Sequence, residues 1–200
     1  MREYRETSSL TQAVILCGGK GTRLWPVTKN IPKPLLKIKN IPFLEYLIKN
    51  LSRQNIKNIT LICSYKYEKF KKKYHKKILF GAYIECFNEG KAKGTGGGLK
   101  LIKSKLGNYF TVINGDTFFD INIQDLFKNF KKKKYLGIIA TTINNNKRFG
   151  YLYQRQNKKF VNAGIYIFSK KIFKLFEKKK FISLESDIFP LAIKKKINPI

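Results

Sequence analysis

The sequence predicts an α/β domain of three layers, in which a mostly parallel central sheet is covered by helices on both faces. Short apolar runs alternate along the chain with segments of helical periodicity, as in proteins built from strand–helix–strand units. Glycine-rich or polar residues directly follow several of the apolar runs. No internal repeat and no linker interrupts the pattern, so we expect residues 1–200 to form a single domain.

The predicted strands are short and mostly apolar, which is typical of strands that are buried on both faces. In chain order they are Gln12–Cys17, Asn58–Cys63, Ala82–Phe87, Tyr109–Ile113, Leu136–Ile143, Tyr151–Arg155 and Ala163–Phe168. Because helical segments separate most of them, neighbouring strands are expected to run in the same direction.

The helices are predicted from apolar periodicity and from the residues that begin them. Pro42 suits the start of a helix, whose apolar face recurs at helical spacing between Phe43 and Leu51. Asn122 is a candidate N-cap for a helix over Ile123–Phe130. The other predicted helices are Tyr67–Tyr74, Leu99–Leu106, Lys170–Glu177 and Ser186–Lys195.

The composition is that of a folded chain without a membrane span. Of its residues 43% are hydrophobic and 14% aromatic, and no apolar run approaches the roughly 20 residues that cross a bilayer. The start, Met1–Glu6, is charged and unlike a signal peptide. We therefore expect a cytoplasmic protein with no membrane partner.

Cysteine and histidine usage argues against several kinds of site. Cys17, Cys63 and Cys86 are far apart, form no CxxC pair and lie in or beside apolar runs, so we expect reduced core residues. His75 is the only histidine and lies among lysines. This argues against a histidine zinc site and against a Ser-His-Asp triad.

The formal charge of +30 has two interpretations. A basic surface attracts the phosphates of nucleic acids. The alternative is a compositional bias, since Lys, Asn, Ile, Phe and Tyr are all abundant and all have codons rich in A and T. We favour the bias and expect no specific nucleic-acid partner, because the lysines cluster at predicted helix ends without interleaved aromatic residues. The clusters are Lys71–Lys73, Lys131–Lys134, Lys178–Lys180 and Lys194–Lys196.

Three loops follow the predicted strands and carry the candidate functional residues. Gly18–Gly21 follows the first strand, Gly94–Gly98 the third, and Asn114–Asp116 the fourth. Ligands of parallel α/β sheets bind beyond the carboxyl ends of the strands. We therefore expect the three loops to meet at one edge of the sheet and form a binding site there.

The first loop, Gly18–Gly21, has the composition of an anion-binding loop. It is not a Walker A loop, because Lys20 is followed by Gly21, and it is not GxGxxG, because Leu24 occupies the last position. Its glycines let backbone N–H groups approach phosphate oxygens, and Arg23 adds a planar fork suited to a polyphosphate. An ordinary strand-to-helix turn is the structural alternative.

This loop and the segment after it resemble the signature of the sugar-1-phosphate nucleotidyltransferases. The matching residues are Gly18, Gly19, Gly21, Thr22, Arg23, Leu24, Pro26 and Pro32–Leu35. Supporting matches are Ser64–Tyr67, Gly94–Gly97, Asn114–Asp120 and Asn162–Tyr166. The resemblance extends from about Gln12 to Phe168.

The resemblance implies a Rossmann-like nucleotidyltransferase domain that joins a nucleoside triphosphate to a sugar 1-phosphate and releases pyrophosphate. The expected substrates are GTP and D-glycero-α-D-manno-heptose 1-phosphate, for the synthesis of a surface-polysaccharide precursor. The same chemistry with UTP or dTTP and a hexose 1-phosphate stays open, as does a catalytically silent module that binds nucleotide sugars. The oligomeric state is open, and a homo-oligomer is one alternative.

For catalysis, the resemblance implies roles for Arg23, Lys33 and Asp116. The two cations would neutralise the triphosphate and the charge that develops during transfer. Lys33 lies between two prolines, so we expect a stiff extended segment there. Asp116 would be a ligand of Mg²⁺, the expected cofactor, beside the nucleotide phosphates. A surface lysine and a turn-forming aspartate are the structural alternatives.

The resemblance also implies the two substrate sites. The nucleotide-binding residues would be Gly18, Gly19, Gly21, Thr22, Glu89, Gly94 and Thr95, and the sugar-binding residues Gly96, Asn162 and Gly164. Glu89 could accept hydrogen bonds from both N1–H and the exocyclic amine of guanine, whereas uracil and thymine offer one such donor. Guanine is therefore favoured. A solvated loop glutamate at 89 and a turn residue at 162 are the alternatives.

Two departures from the family pattern concern the sugar and the metal. Relatives carry a longer stretch before the segment that matches Asn162–Tyr166, with a Glu-Lys pair that contacts the sugar, whereas Gln154–Lys159 is short. The family's second metal-binding aspartate would fall beyond Ile200. We therefore expect the domain over residues 1–200 to lack the family's C-terminal segment.

Overall fold

The computed structural model describes residues 10–118, 120–132, 135–143, 151–155, 158–176, 179–194 and 197–199. Its strands are β1 (Gln12–Leu16), β2 (Lys37–Ile38), β3 (Ile41–Pro42), β4 (Asn58–Cys63), β5 (Lys77–Leu79), β6 (Ala82–Asn88), β7 (Tyr109–Asn114), β8 (Gly137–Ile143), β9 (Tyr151–Arg155), β10 (Lys158–Ser169) and β11 (Ile197–Pro199). Its α-helices are α1 (Phe43–Arg53), α2 (Tyr67–Tyr74), α3 (Gly94–Leu101), α4 (Ile123–Lys132) and α5 (Phe189–Lys194). A π-helical turn covers Leu184–Ile188, and 3₁₀ helices cover Thr22–Leu24, Val27–Lys29, Lys33–Leu35, Lys103–Lys105 and Lys170–Leu175.

Nine of the eleven described strands form one sheet in the order β11-β8-β10-β7-β1-β4-β6-β5, with β9 paired to β10, and β2 and β3 form a separate antiparallel pair. Its centre, β6-β4-β1-β7, is parallel throughout. β10 lies antiparallel between β7 and β8, and β5 is antiparallel to β6. The mostly parallel sheet predicted from the sequence is therefore confirmed at its centre, and antiparallel strands extend it on both sides.

Helices cover both faces of the sheet, which confirms the predicted three-layer α/β fold. One apolar cluster joins the sheet to α1, α2 and α4, with Leu47, Phe70 and Phe127 among its buried residues. A second cluster on the other face joins the sheet to α3 and α5, through residues such as Leu99 and Phe189. Removing these apolar faces from water is the main force that holds the layers together.

The strand order reverses at β1, and this reversal positions the site. β4 pairs with one edge of β1 and β7 with the other, and both run parallel to it. In such sheets the connections on the two sides of the reversal lead away from each other. A crevice then opens beyond the carboxyl ends of the strands, which is where ligands bind.

Most predicted elements are present, with ends shifted by a residue or two. β4, β9 and α2 have the predicted bounds. Asn122 caps α4 as predicted, because its Oδ1 accepts hydrogen bonds from the backbone N–H groups of Gln124 and Asp125, both at 3.1 Å. β10 begins at Lys158, several residues before the predicted start at Ala163.

Three predicted helices differ from the structure. The helix predicted over Leu99–Leu106 was placed wrongly, because α3 begins at Gly94 and ends before that range does. The segment predicted as Lys170–Glu177 is a 3₁₀ helix that ends at Leu175. The segment predicted as Ser186–Lys195 begins earlier, with the π-helical turn, and continues as α5. The last residue of each of these two predicted ranges lies outside the described residues.

The three cysteines and His75 contribute to the packing of the fold. All three cysteines are free and buried, which confirms the prediction of reduced core residues. The Nδ1 atom of His75 accepts a hydrogen bond from the backbone N–H of Cys86 at 3.0 Å, and this contact ties the end of α2 to β6. In the part of the chain that the structure describes, every helix is too short or too polar to cross a membrane.

Candidate active site

A cavity of about 400 Å³ lies at the carboxyl ends of β1 and β7, where the three loops predicted from the sequence meet. The predicted site residues that line it are Gly18, Gly19, Gly21, Arg23, Lys33, Glu89, Gly94, Thr95 and Asp116. The fold thus brings together residues that are far apart in the chain. Four other predicted site residues lie outside its described lining: Thr22, Gly96, Asn162 and Gly164.

The loop after β1 is held in place by Thr28 and leaves part of its backbone open. Gly21 has a φ of +66°, in the left-handed region that favours glycine. Its carbonyl accepts a hydrogen bond at 2.7 Å from the hydroxyl of Thr28, which is fully buried. A Cβ on Gly19 would meet no atom within 4 Å. Open glycine backbone of this kind lets N–H groups approach the oxygens of a phosphate.

Lys33 and Asp116 form an ion pair at the wall of the cavity. The distance from Nζ to Oδ2 is 2.7 Å, and the two side chains are 36% and 41% exposed. Because both groups are accessible to water, their attraction is weak and the pair can exchange for other partners. The cavity therefore offers both a cation and a carboxylate to a ligand that carries phosphates and counterions.

Close packing at the end of β7 explains the glycine before Asp116. The N–H of Gly115 donates a hydrogen bond to the carbonyl of Leu16 at 2.9 Å. A Cβ at position 115 would lie 2.7 Å from that carbonyl oxygen and 3.1 Å from Sγ of Cys17. Glycine therefore lets the end of β7 stay against β1, and this contact fixes the backbone from which Asp116 projects.

Lys33 begins a tight turn, so the predicted extended segment was wrong. Lys33–Leu35 forms a 3₁₀ helix, closed by a hydrogen bond from the N–H of Leu36 to the carbonyl of Lys33 at 3.2 Å. Pro34 fits there because the first turn of a helix leaves its N–H groups unpaired, and proline has none. The extended conformation is kept only outside the turn, as at Pro32, with φ −53° and ψ 141°. The backbone at Lys33 thus adopts a turn instead of an extended segment.

Glu89 is buried, with 8% of its surface exposed, so the alternative of a solvated loop glutamate was wrong. Burial raises the pKa of its carboxyl, against the opposing effects of the Lys93 backbone N–H, 3.4 Å from Oε2, and of the Lys93 charge. Two glycines make room for the carboxylate. A Cβ on Gly18 would collide with Oε1, and one on Gly98 would lie 3.1 Å from Oε2.

The glycine-rich segment that the sequence placed in a loop is the first half of α3. Gly94 has a φ of +81° and lines the cavity. The carbonyl of Ile182 accepts hydrogen bonds from the N–H groups of Gly96 and Gly97, at 2.9 and 3.1 Å. A Cβ on Gly96 would lie 2.7 Å from Cγ2 of Ile182. Gly96 therefore faces a packed segment from later in the chain.

Asn162 and Gly164 lie at an irregularity in the pairing of β10 with β8. The Asn162 Nδ2 donates to the hydroxyl of Tyr166, and its Oδ1 accepts from the N–H of Gly164, both at 2.7 Å. Gly164 has a φ of +74°, and a Cβ there would lie 3.1 Å from Nδ2 of Asn114. The Asn162 side chain is thus engaged within β10, and its contact with a sugar stays a prediction.

The described residues suit a Mg²⁺ ion that takes most of its coordinating oxygens from a bound substrate and from water. No three His, Cys, Asp or Glu side chains within the described ranges lie close enough together to form a metal site. Among the described lining residues two carry carboxylates, and of these Glu89 is buried whereas Asp116 is exposed. Mg²⁺ commonly takes one or two protein carboxylates and completes its shell with water and phosphate oxygens. Asp116 suits that arrangement.

Several lining residues were not predicted as site residues. Asn114 precedes Gly115 at the end of β7, so the strand-end position that identified Asp116 could also have identified it. Phe181 lines the cavity with 59% of its surface exposed. It comes from the segment that packs on α3, and nothing in its local sequence signals this position.

Comparisons with known proteins give one consistent family. Residues 12–198 match the profile of the family described as Nucleotidyl transferase. The D-glycero-α-D-manno-heptose 1-phosphate guanylyltransferase of Campylobacter jejuni is 37% identical over 187 residues, covering 87% of this chain and 83% of that protein. The mannose-1-phosphate guanylyltransferase of Mycobacterium tuberculosis is 28% identical over 197 residues, covering 90% and 55%. HddC from Yersinia pseudotuberculosis, crystallised with GMP-PN, matches with a TM-score of 0.79 and 27% identity, covering 96% and 91%.

Proposed function

The chain belongs to the nucleotidyl transferase family, and we propose that it joins GTP to D-glycero-α-D-manno-heptose 1-phosphate, giving a GDP-sugar and pyrophosphate. The family match and the Campylobacter relative confirm the resemblance seen in the sequence: the chain is a sugar-1-phosphate nucleotidyltransferase. The choice of base and sugar is supported by the Campylobacter relative, whose name specifies both. The complex of HddC with GMP-PN also supports a guanine nucleotide.

The observation that carries the proposal is the cavity in which Arg23, Lys33, Asp116 and Glu89 meet. Cations beside an open glycine backbone suit a triphosphate, and a buried carboxylate suits the hydrogen-bonding edge of a base. An oxygen of the sugar 1-phosphate would attack the α-phosphorus of GTP in line. The bond from that phosphorus to the bridging oxygen would break, and the electron pair would leave with pyrophosphate.

Both reacting oxygens belong to the substrates, so the proposed work of the protein is positioning and charge neutralisation. Arg23 would hold phosphate oxygens with its planar fork. Lys33 would exchange Asp116 for a phosphate when the nucleotide enters. Asp116 would then be available to hold Mg²⁺, whose positive charge would offset the negative charge of the triphosphate.

The sugar is proposed from the heptose-specific relative, and the Mycobacterium relative, named for mannose 1-phosphate, supplies the alternative. Asn162, Gly96 and Gly164 are proposed on the sugar side by their match to the family motifs, and Thr22 on the nucleotide side. UTP or dTTP with a hexose 1-phosphate is tested in the same assay. The assay also tests the second alternative, a module that binds nucleotide sugars without turnover.

The proposal is tested by measuring pyrophosphate release from each of GTP, UTP, dTTP, CTP and ATP with a panel of sugar 1-phosphates, with and without Mg²⁺. We expect release with GTP and the heptose 1-phosphate, requiring Mg²⁺ and largely lost in Arg23→Ala. Release with another pair would replace the proposed substrates. If no pair gave release while calorimetry still detected nucleotide binding, the chain would be a binding module and the proposed reaction would be wrong.

A further inference from the structure

A carboxylate outside the described lining of the cavity connects α3, which lines the cavity, to β10. Glu185 lies in the π-helical turn, and its Oε2 accepts a hydrogen bond at 2.8 Å from the hydroxyl of Thr95, which lines the cavity from α3. Its Oε1 accepts from the hydroxyl of Tyr166 at 3.4 Å. Tyr166 in turn holds Asn162 on β10. One side chain thus reaches both the nucleotide side and the strand predicted to contact the sugar.

The hydroxyl of Thr95 donates its proton to Glu185 while its oxygen accepts another hydrogen bond. The Thr95 oxygen already accepts from the N–H of Leu184 at 2.8 Å, so its single proton is free to be donated. Ser183 repeats the pattern: its oxygen accepts from the N–H of Ser186 at 3.2 Å, and its hydroxyl donates to Oε2 of Glu185 at 2.9 Å. Two hydroxyl groups therefore donate to Oε2, and the group at this position must accept hydrogen bonds without donating any.

Tyr166 presents a third hydroxyl proton to the same carboxylate. Its oxygen accepts from Nδ2 of Asn162, so its proton points towards an acceptor. Tyr166 is fully buried, and burial raises the pKa of its hydroxyl, as does the charge of Glu185. The tyrosine therefore stays protonated and remains a donor. Three hydroxyl donors converge on Glu185, and an ionised carboxylate accepts from all three without offering a proton of its own.

We propose that Glu185 is a positioning residue that ties α3 to β10 and so sets Thr95 and Asn162 at a fixed separation. The proposal rests on the proposed function, because those two residues stand on the predicted nucleotide and sugar sides. A π-helical turn is an uncommon local structure that is often found at functional sites. Here it places Glu185 against two elements that are not its neighbours in sequence.

Glu185→Gln tests the proposal with little change in side-chain volume. The amide keeps one accepting oxygen and presents two protons where only donors converge, so α3 and β10 lose their common anchor. We expect KM to rise about tenfold for both GTP and the sugar 1-phosphate, with a smaller change in kcat. Glu68→Gln is the matched control, because it removes the same charge from a side chain that is 79% exposed.

Further readouts separate positioning from a purely structural role. Tyr166→Phe removes one of the three donors, so the effect of Glu185→Gln on the KM of the sugar phosphate should shrink in that background. Equal KM values in Glu185→Gln and Glu68→Gln would overturn the proposal, as would a lower unfolding temperature with unchanged KM. The Kd of GTP measured by calorimetry tests Glu185 without turnover. An inactive wild type would therefore count against the proposed function, and an unchanged Kd against Glu185.

Discussion

Burying a carboxylate costs free energy, and among the buried polar residues that the structure describes Glu89 alone has an acidic or basic side chain. One long hydrogen bond, from the backbone N–H of Lys93 at 3.4 Å, reaches its Oε2. Gly18 and Gly98 lack the Cβ atoms that would fill its space. Most of its accepting capacity therefore faces the cavity, and a ligand with two adjacent N–H donors would satisfy it. Guanine has such an edge.

Replacing Glu89 with glutamine should reduce the preference for GTP. The amide has one accepting oxygen, so it can accept from only one of the two guanine donors, and its own protons face the other. We expect the ratio of kcat/KM for GTP to that for UTP to fall about tenfold. Initial rates with the preferred sugar phosphate measure the ratio, and Glu68→Gln serves as the exposed control. An unchanged ratio would contradict recognition of guanine by Glu89.

The stability of the same variant gives a readout that needs no substrate. Because burial raises the pKa of Glu89 in the folded protein, the folded state binds its proton more tightly than the unfolded chain does. The resulting stability is complete below the ordinary glutamate pKa of about 4.3 and is lost as pH rises through the folded value. Urea denaturation between about pH 4 and pH 7 should show this loss in the wild type and not in Glu89→Gln.

At the scale of elements, α3 depends on tertiary contacts. Each glycine inside a helix costs about 1 kcal/mol relative to alanine, and this helix begins with several of them. The missing side chains let the segment around Ile182 approach, and its carbonyl binds the N–H groups of Gly96 and Gly97. Those N–H groups lie in the first turn and have no partner within the helix. Contacts from later in the chain therefore replace helix propensity.

The packing of Ile182 on α3 predicts how Gly96→Ala behaves. A Cβ at position 96 would lie 2.7 Å from Cγ2 of Ile182, so the substitution should destabilise the wild type by about 1–3 kcal/mol despite the better helix propensity of alanine. Ile182→Ala removes that methyl group. In its background Gly96→Ala should cost much less. Urea denaturation of the four proteins measures the coupling, and additive effects would contradict direct packing.

The elements that the sequence predicted well are those with a long apolar pattern of their own. α1 and α4 present apolar faces at helical spacing, and the central strands are continuous apolar runs. α3 was misplaced because the contacts that form it lie about ninety residues away. β2, β3, β5 and β11 were missed because each has two or three residues, too few for a period to show.

The residues of the site also differ in whether local sequence or distant contacts determine their position. Asp116 and the first glycine loop were predicted because ligands of parallel sheets lie where strands end, a rule that needs only local sequence. The burial of Glu89 could not be predicted, since it depends on glycines from two other segments. Glu185 gave no signal at all, because its partners Thr95 and Tyr166 come from α3 and β10.

At the scale of the whole molecule, the dominant feature is a charge of +30. With 42 basic and 12 acidic side chains, most lysines have no carboxylate to pair with. Exposed ion pairs add little stability, as between Lys128 and Asp125, whose side chains are 73% and 58% exposed. Mutual repulsion should therefore oppose folding, while the same field attracts a triphosphate.

These two consequences of the charge respond to salt in opposite senses. Raising KCl from about 0.05 M to about 0.5 M shortens the screening length from more than 10 Å to about 4 Å. Weaker repulsion among the lysines should raise the unfolding temperature, and weaker attraction should raise the KM for GTP severalfold with little change in kcat. Sucrose at matched osmolality is the control, because it favours compact states without screening charge. A general salting-out effect would raise the unfolding temperature and leave KM unchanged. An unfolding temperature that falls with KCl would show that repulsion among the lysines does not lower the stability of the fold.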